Sequence, residues 1–185
     1  MKRGQHILLL TVIVQWTLLT RALSQTHWET AIYAEDTWHY FVGTTAPPAN
    51  WKSLDFDVNN WSSGLGGFGY SDGDDNTNIP NTLAVFFRKS FQVDDLDEIL
   101  SAAVHSDYDD GFVAYLNGVE IARSFNMGTS GSVVSYDQTT DSDHEAVMYQ
   151  GGVPDVFILG YNDLDGLLQE GENVFAVEVH NVNST

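Results

Sequence analysis

Two acidic runs carry the residue types that could bind a hard cation or a polyol. Asp72-Gly73-Asp74-Asp75-Asn76 alternates carboxylates around a glycine. Calcium takes about six to eight oxygens from flexible loops, so such a run can wrap one. It is not an EF-hand, because neither flanking helical patterns nor a glutamate at the twelfth position follow. The same run also reads as an acidic turn capped by its own side chains. The second run is Asp107-Tyr108-Asp109-Asp110-Gly111. Asp107 joins Asp72, Asp74 and Asp75 as a candidate ligand of a structural calcium ion. Asp109 and Asp110 can ligate the same cation or accept bidentate hydrogen bonds from sugar hydroxyls. The plainer reading is that one aspartate caps the loop through backbone N–H groups while Gly111 supplies an unusual backbone conformation.

Aromatic residues form a third set: Trp28, Trp38, Tyr40, Trp51, Trp61, Phe68 and Tyr70. Exposed Trp and Tyr rings stack on sugars, whereas a β core of this size also consumes several aromatics. Trp51 and Trp61 fall in loop regions and are expected to be exposed. Trp51, Trp61, Tyr70, Asp109, Asp110 and Asn117 are therefore the candidate carbohydrate-binding residues. No catalytic residues are indicated. A Gly-x-Ser-x-Gly elbow, a phosphate loop and a dinucleotide fingerprint are all missing. His144-Glu145 lacks zinc-like spacing, and the carboxylates are too numerous to single out a glycosidase pair.

The elements that must position these residues are short apolar stretches punctuated by Gly, Asn, Asp and Ser, the pattern of an all-β sandwich. Trp38 to Val42 reads as a strand and Asn59 to Asp75 as an ordered, glycine-rich loop. In Thr82 to Val93, Val85, Phe87, Phe91 and Val93 share one face. Lys89 falls on that apolar face, which predicts an edge position or a bulge. Ile99 to His105 is a further strand. Phe112 to Leu116 and Val119 to Arg123 flank Asn117-Gly118, a type I′ hairpin signal. Phe125 to Gly152 is polar and reads as a surface excursion. Asp155 to Leu159 is a strand, Leu164 to Leu168 a helical turn ended by Gly171, and Val174 to His180 the last strand. In that last strand Phe175, Val177 and Val179 face one way, Glu178 and His180 the other.

The N-terminus has the order of a secretory signal peptide: Lys2 and Arg3, an apolar run from Ile7 to Thr20, then Ala22-Leu23-Ser24. The run is shorter than the roughly 20 residues a spanning helix needs. Cleavage before Gln25 leaves a β-sandwich module over 25–185, secreted or held at a bacterial cell surface, with no membrane insertion after cleavage. Formal charge over the whole chain is −19. The remaining basic residues are Lys52, Arg88, Lys89 and Arg123 against 26 acidic ones, a charge of −22 after cleavage. That balance argues against nucleic acid and anionic membrane surfaces. With no cysteine, thiol catalysis and thiolate metal sites are excluded.

Taken in order, Trp38-x-Tyr40, Trp51, Asp57-x-x-x-Trp61-x-x-Gly64, Gly66 to Gly73, Phe86 to Phe91, Asp109 to Arg123 and Gly171 to Asn181 resemble a known module. It is the galactose-binding-like jelly roll of large exported bacterial proteins, notably in Bacteroidetes. There it lies beside CotH-like kinase domains, metallophosphoesterases or carbohydrate-active enzymes. The resemblance implies a jelly-roll β-sandwich and a non-catalytic accessory role, with a polysaccharide or glycan as the leading partner. A spacer or docking domain for a downstream catalytic domain is the alternative, ahead of a small polysaccharide-active enzyme. In such proteins sequence continues past the Val-His-Asn strand, so a truncated C-terminus is expected.

Overall fold

The computed structural model describes residues 26–70, 73 and 75–183. The signal peptide read over 1–24, and Asp72 and Asp74, lie outside them. In chain order the strands are β1 (Thr37–Val42), β2 (Ser62–Leu65), β3 (Phe68–Gly69), β4 (Thr77–Asn78), β5 (Ala84–Val93), β6 (Ser101–Ser106), β7 (Gly111–Leu116), β8 (Val119–Arg123), β9 (Asp155–Gly160) and β10 (Gly171–His180). One four-residue helix, α1 (Tyr161–Leu164), follows β9.

An antiparallel sheet in the order β2-β1-β5-β10-β7-β8 organises the molecule, and β6 pairs with β9 as a second small sheet. Together they form an all-β sandwich of the jelly-roll type. Side chains alternate across each strand, so the main sheet presents two faces. On one, Phe112, Ala114 and Leu116 of β7 meet Phe157 and Leu159 of β9. On the other, Phe86, Val113, Tyr115, Val174 and Ala176 meet Trp51 and Met127 from loops. Each fully buried large apolar side chain contributes about 1.5–3 kcal/mol. The loop before β2 is fastened by Arg88, whose guanidinium donates to the Trp51 carbonyl and lies 5.1 Å from the Phe56 ring centroid.

The hairpin forms as its sequence predicts. Asn117 and Gly118 both have positive φ, 49° and 91°. Several other expectations need correction. Residues 59–75 contain β2 and β3 rather than loop alone, because Gly64 and Gly69 let neighbouring side chains approach closely. The stretch from Phe125 to Gly152 has no strand, yet it covers the second face of the sheet and buries Met127. No bulge occurs at Lys89. The β5–β10 ladder runs unbroken through it, while registered pairing with β1 ends at Arg88. Lys89 instead reaches the Thr37 carbonyl at 3.2 Å and Asp36 at 3.4 Å. The helical turn begins at Tyr161, ahead of the predicted Leu164. Its start is fixed by Asp163, which accepts from the Gly160 N–H at 2.8 Å.

Candidate functional site

A cleft of about 660 Å³ opens on the loop-covered face of the main sheet. Its floor is Trp51, Phe86, Tyr115 and Glu178. One wall comes from Ala46 to Lys52, the other from Ser130 to Tyr136, and the tip of the β7–β8 hairpin closes one end.

The floor carries a chain of polar groups. The Tyr115 hydroxyl donates to Glu178 Oε1. Glu178 Oε2 faces His180 Nε2 at 3.3 Å. His180 Nδ1 lies 2.8 Å from the Gln138 carbonyl oxygen, so that nitrogen carries a proton and donates it. With Nδ1 as the donor to Gln138, the Nε2–Oε2 contact is a hydrogen bond, and an ion pair, when Nε2 also carries a proton. His180 is fully buried, and burial followed by the Glu178 charge pushes the Tyr115 phenol far above its ordinary range. Lys52 Nζ stands 3.9 Å from the Tyr115 ring centroid, a cation–π contact.

The far wall is pinned by an ion pair. Arg123 donates from Nε to Glu120 Oε1 at 3.0 Å and from Nη2 to Oε2 at 2.8 Å. The carboxylate also accepts from the Ser130 hydroxyl and the Gly131 N–H. Arg123 donates onward to the Met127 and Ser132 carbonyls. The Arg123 hydrogen bonds hold the Glu120 carboxyl below its ordinary range, and Glu120 in turn raises the guanidinium.

Only some of the residues singled out from sequence come together. Trp51 lines the cleft but is 5% exposed, so the expectation of an open stacking platform is corrected: its ring packs on Phe86, Tyr115 and Trp61. Trp61 is half-buried between Trp51, Phe41 and Phe56. Asn117 is engaged by the fold, donating to the Leu167 carbonyl and Asn173 Oδ1 and accepting from the Val174 N–H, each at 2.8 Å. Asp110 is buried and accepts from the backbone N–H of His144 and of Val182, each at 2.7 Å. Asp107 accepts from the N–H groups of Val147 and Met148. The capping reading of this run therefore holds for both. Gly111 is required for a different reason than backbone conformation: a Cβ there would lie 2.7–2.9 Å from Thr140, Asn126 and Met127.

Tyr70, Asp109 and Asp110 do meet, with Asp143, Glu145, Asn181 and Asn183, around a second depression of about 200 Å³. Asp109 is exposed at its rim. Partial desolvation, reinforced by Asp110 and Glu145, raises its carboxyl to about 6. Asp75 lies against Gly69. Among the described residues no group of three or more His, Asp or Glu side chains is arranged to hold a metal ion. Among them, too, no helix is long and apolar enough to cross a membrane.

Lys52, Tyr115, Glu120, Arg123, Glu178 and His180 escaped the sequence reading. A signal was present in the last strand. Val174 and Ala176 share a face with Glu178 and His180, and a strand apolar on both faces is covered on both.

No protein-family model matches the chain, and no curated protein does. Among solved structures, it is similar to a β-glucuronidase of Bifidobacterium dentium complexed with coumarin-3-O-glucuronide. The identity is 18% and the TM-score 0.50, over 79% of this chain and 19% of that one. A β-glucuronidase from an uncultured Clostridium sp. matches at 18% identity and TM-score 0.47, over 80% of this chain and 21% of that one. The chain thus spans about a fifth of the length of these enzymes. At this identity the first likeness carries the sandwich fold alone, and fold does not fix function.

Proposed function

We propose that this chain is a non-catalytic carbohydrate-binding accessory module of an exported bacterial protein, acting at or outside the cell surface. One observation carries the reading: a cleft of about 660 Å³ whose floor is Trp51, Phe86, Tyr115 and Glu178 and whose walls mix small apolar residues with Lys52 and the hydroxyls of Ser130, Ser132, Ser135 and Tyr136. Ligand sites combine an apolar floor with a few placed polar groups in this way. A titration against a panel of polysaccharides tests it. At least one polymer should bind. Ala49→Gln, a longer uncharged side chain on the exposed cleft wall, should weaken binding without lowering the melting temperature. Failure of every polymer to bind, or indifference to Ala49→Gln, overturns the reading.

A second reading is a docking domain for a downstream part of the same polypeptide. It is favoured by the outer face of the β6–β9 sheet, where Val156 and Ile158 are exposed beside Leu100 and Tyr161. Slower hydrogen exchange across residues 155–160 in a longer chain than in 25–185 would support it. Structural calcium at the acidic run from Asp72 to Asn76 belongs to the proposal as an addition. It is read by whether millimolar calcium raises the melting temperature.

A further inference from the structure

We infer that the cleft selects a glycan bearing an anionic substituent, a carboxylate or a sulfate ester, which Lys52 receives. The inference rests on the cleft being the glycan site. It follows from the pairing of the charges around it, in a chain whose overall charge is strongly negative.

The described residues contain four basic side chains of the lysine and arginine type. Arg88 is buried away from the cleft and donates to the Trp51 carbonyl. Lys89 pairs with Asp36 at 3.4 Å. Arg123 pairs with Glu120 at 2.8 Å. Lys52 has no carboxylate partner among the described residues, and its ammonium rests on the Tyr115 ring at the cleft floor. The two carboxylates that line the cleft are both answered from within the protein. Glu120 is held by Arg123, Ser130 and Gly131, and Glu178 accepts from the Tyr115 hydroxyl and faces His180 Nε2 at 3.3 Å.

The consequence is that charge balances at the cleft of an otherwise strongly acidic chain, with Lys52 the cation there that lacks a carboxylate partner among the described residues. Its ammonium keeps hydrogen-bond donors unused. A cation–π contact engages the face of the ammonium but leaves N–H groups free to donate. A neutral sugar would leave this charge without a counterpart in a half-enclosed site, whereas a carboxylate or sulfate oxygen would accept a charge-assisted hydrogen bond. The surrounding negative surface opposes a polyanion at long range. At physiological ionic strength that repulsion is screened beyond about 8 Å, while a direct contact is not.

Calorimetric titration of the protein with a polyuronate, a sulfated galactan and a neutral glucan of similar length tests the idea. At least one anionic polymer should bind about tenfold more tightly than the glucan. Lys52→Met should remove that tenfold preference. Lys52→Arg, which keeps the charge and controls for folding, should retain most of the preference. Which polymer loses affinity on Lys52→Met identifies the substituent as carboxylate or sulfate. Equal binding of neutral and anionic polymers overturns the inference and leaves the cleft a neutral-glycan site, and an unchanged anionic preference in Lys52→Met overturns Lys52 as the receiving group. Binding of no polymer at all overturns the cleft as a glycan site and this inference with it.

Discussion

Tyr115 and Glu178 sit diagonally across the β7–β10 ladder: Tyr115 is in register with Ala176 and Glu178 with Val113, and the phenol donates to Glu178 Oε1. Adjacent strands bring diagonal neighbours within reach of long side chains. A carboxylate buried under loops thus gains a donor that is itself part of the core.

Tyr115→Phe deletes that donor and leaves Glu178 with His180 as its one side-chain partner in the structure. A buried polar group deprived of a partner costs about 1–3 kcal/mol. Urea unfolding at neutral pH should show a loss in that range with an unchanged denaturant slope. A loss under about 0.5 kcal/mol would mean that the hydrogen bond contributes little net.

Asn117→Ala separates a fold role from a ligand role. It removes three hydrogen bonds and puts a residue with a Cβ and no compensating polar group at φ 49°. At about 1 kcal/mol for each bond and about 1 for the left-handed backbone, the loss should be about 3–4 kcal/mol. Glycan affinity, measured on the fraction that remains folded, should stay unchanged. Reduced affinity at full stability would restore Asn117 as a contact residue.

The hairpin, the last strand and the sandwich class were legible because they depend on local chemistry: an Asn-Gly turn and alternating apolar residues. The site was not. Lys52, Tyr115 and Glu178 are far apart in the chain and meet only through sheet register and loop docking. Trp51 shows the same limit. Its surroundings in sequence are those of a turn, with Pro47, Pro48 and Asn50, yet Arg88 from β5 holds its backbone and folds the ring inward. Asp110 and Asp107 were visible as unusual, but an acidic run looks identical whether its oxygens face amides or a cation.

Asp107→Asn tests that last distinction. Both carboxylate oxygens accept backbone N–H groups, at 2.8 and 3.1 Å. The variant should lower stability by about 1–2 kcal/mol, by the same amount with millimolar calcium and with chelator. A deficit that appears only in calcium would make Asp107 a metal ligand.

Asp109 should make the protein less stable as pH rises. Its folded-state carboxyl titrates at about 6 against an ordinary 3.8. A raised folded value means that the stabilisation from this group is full below about 3.8 and is lost as pH climbs through about 6. Asp109→Asn should remove that slope between pH 4 and 6 and leave the variant more stable than the parent at pH 7. Melting temperatures across that window decide it, and parallel curves for parent and variant would exclude the effect.

Glu120 should act with the opposite sign and also reach the cleft. Its folded carboxyl titrates below the ordinary 4.5, held down chiefly by Arg123. The stabilisation is therefore full above about 4.5 and fades as pH falls through the lower folded value. Glu120→Gln should lower stability at pH 7 by about 1.5–3 kcal/mol, the range for a hydrogen bond to a charged group. It should also flatten the acid limb of the stability curve. Because Glu120 accepts from Ser130 and Gly131, the cleft wall should loosen at the same time. Faster hydrogen exchange at the Gly131 amide and weaker glycan binding should then appear together at neutral pH. Faster exchange with unaltered binding would detach this wall from ligand recognition and confine the site to the floor around Lys52 and Tyr115.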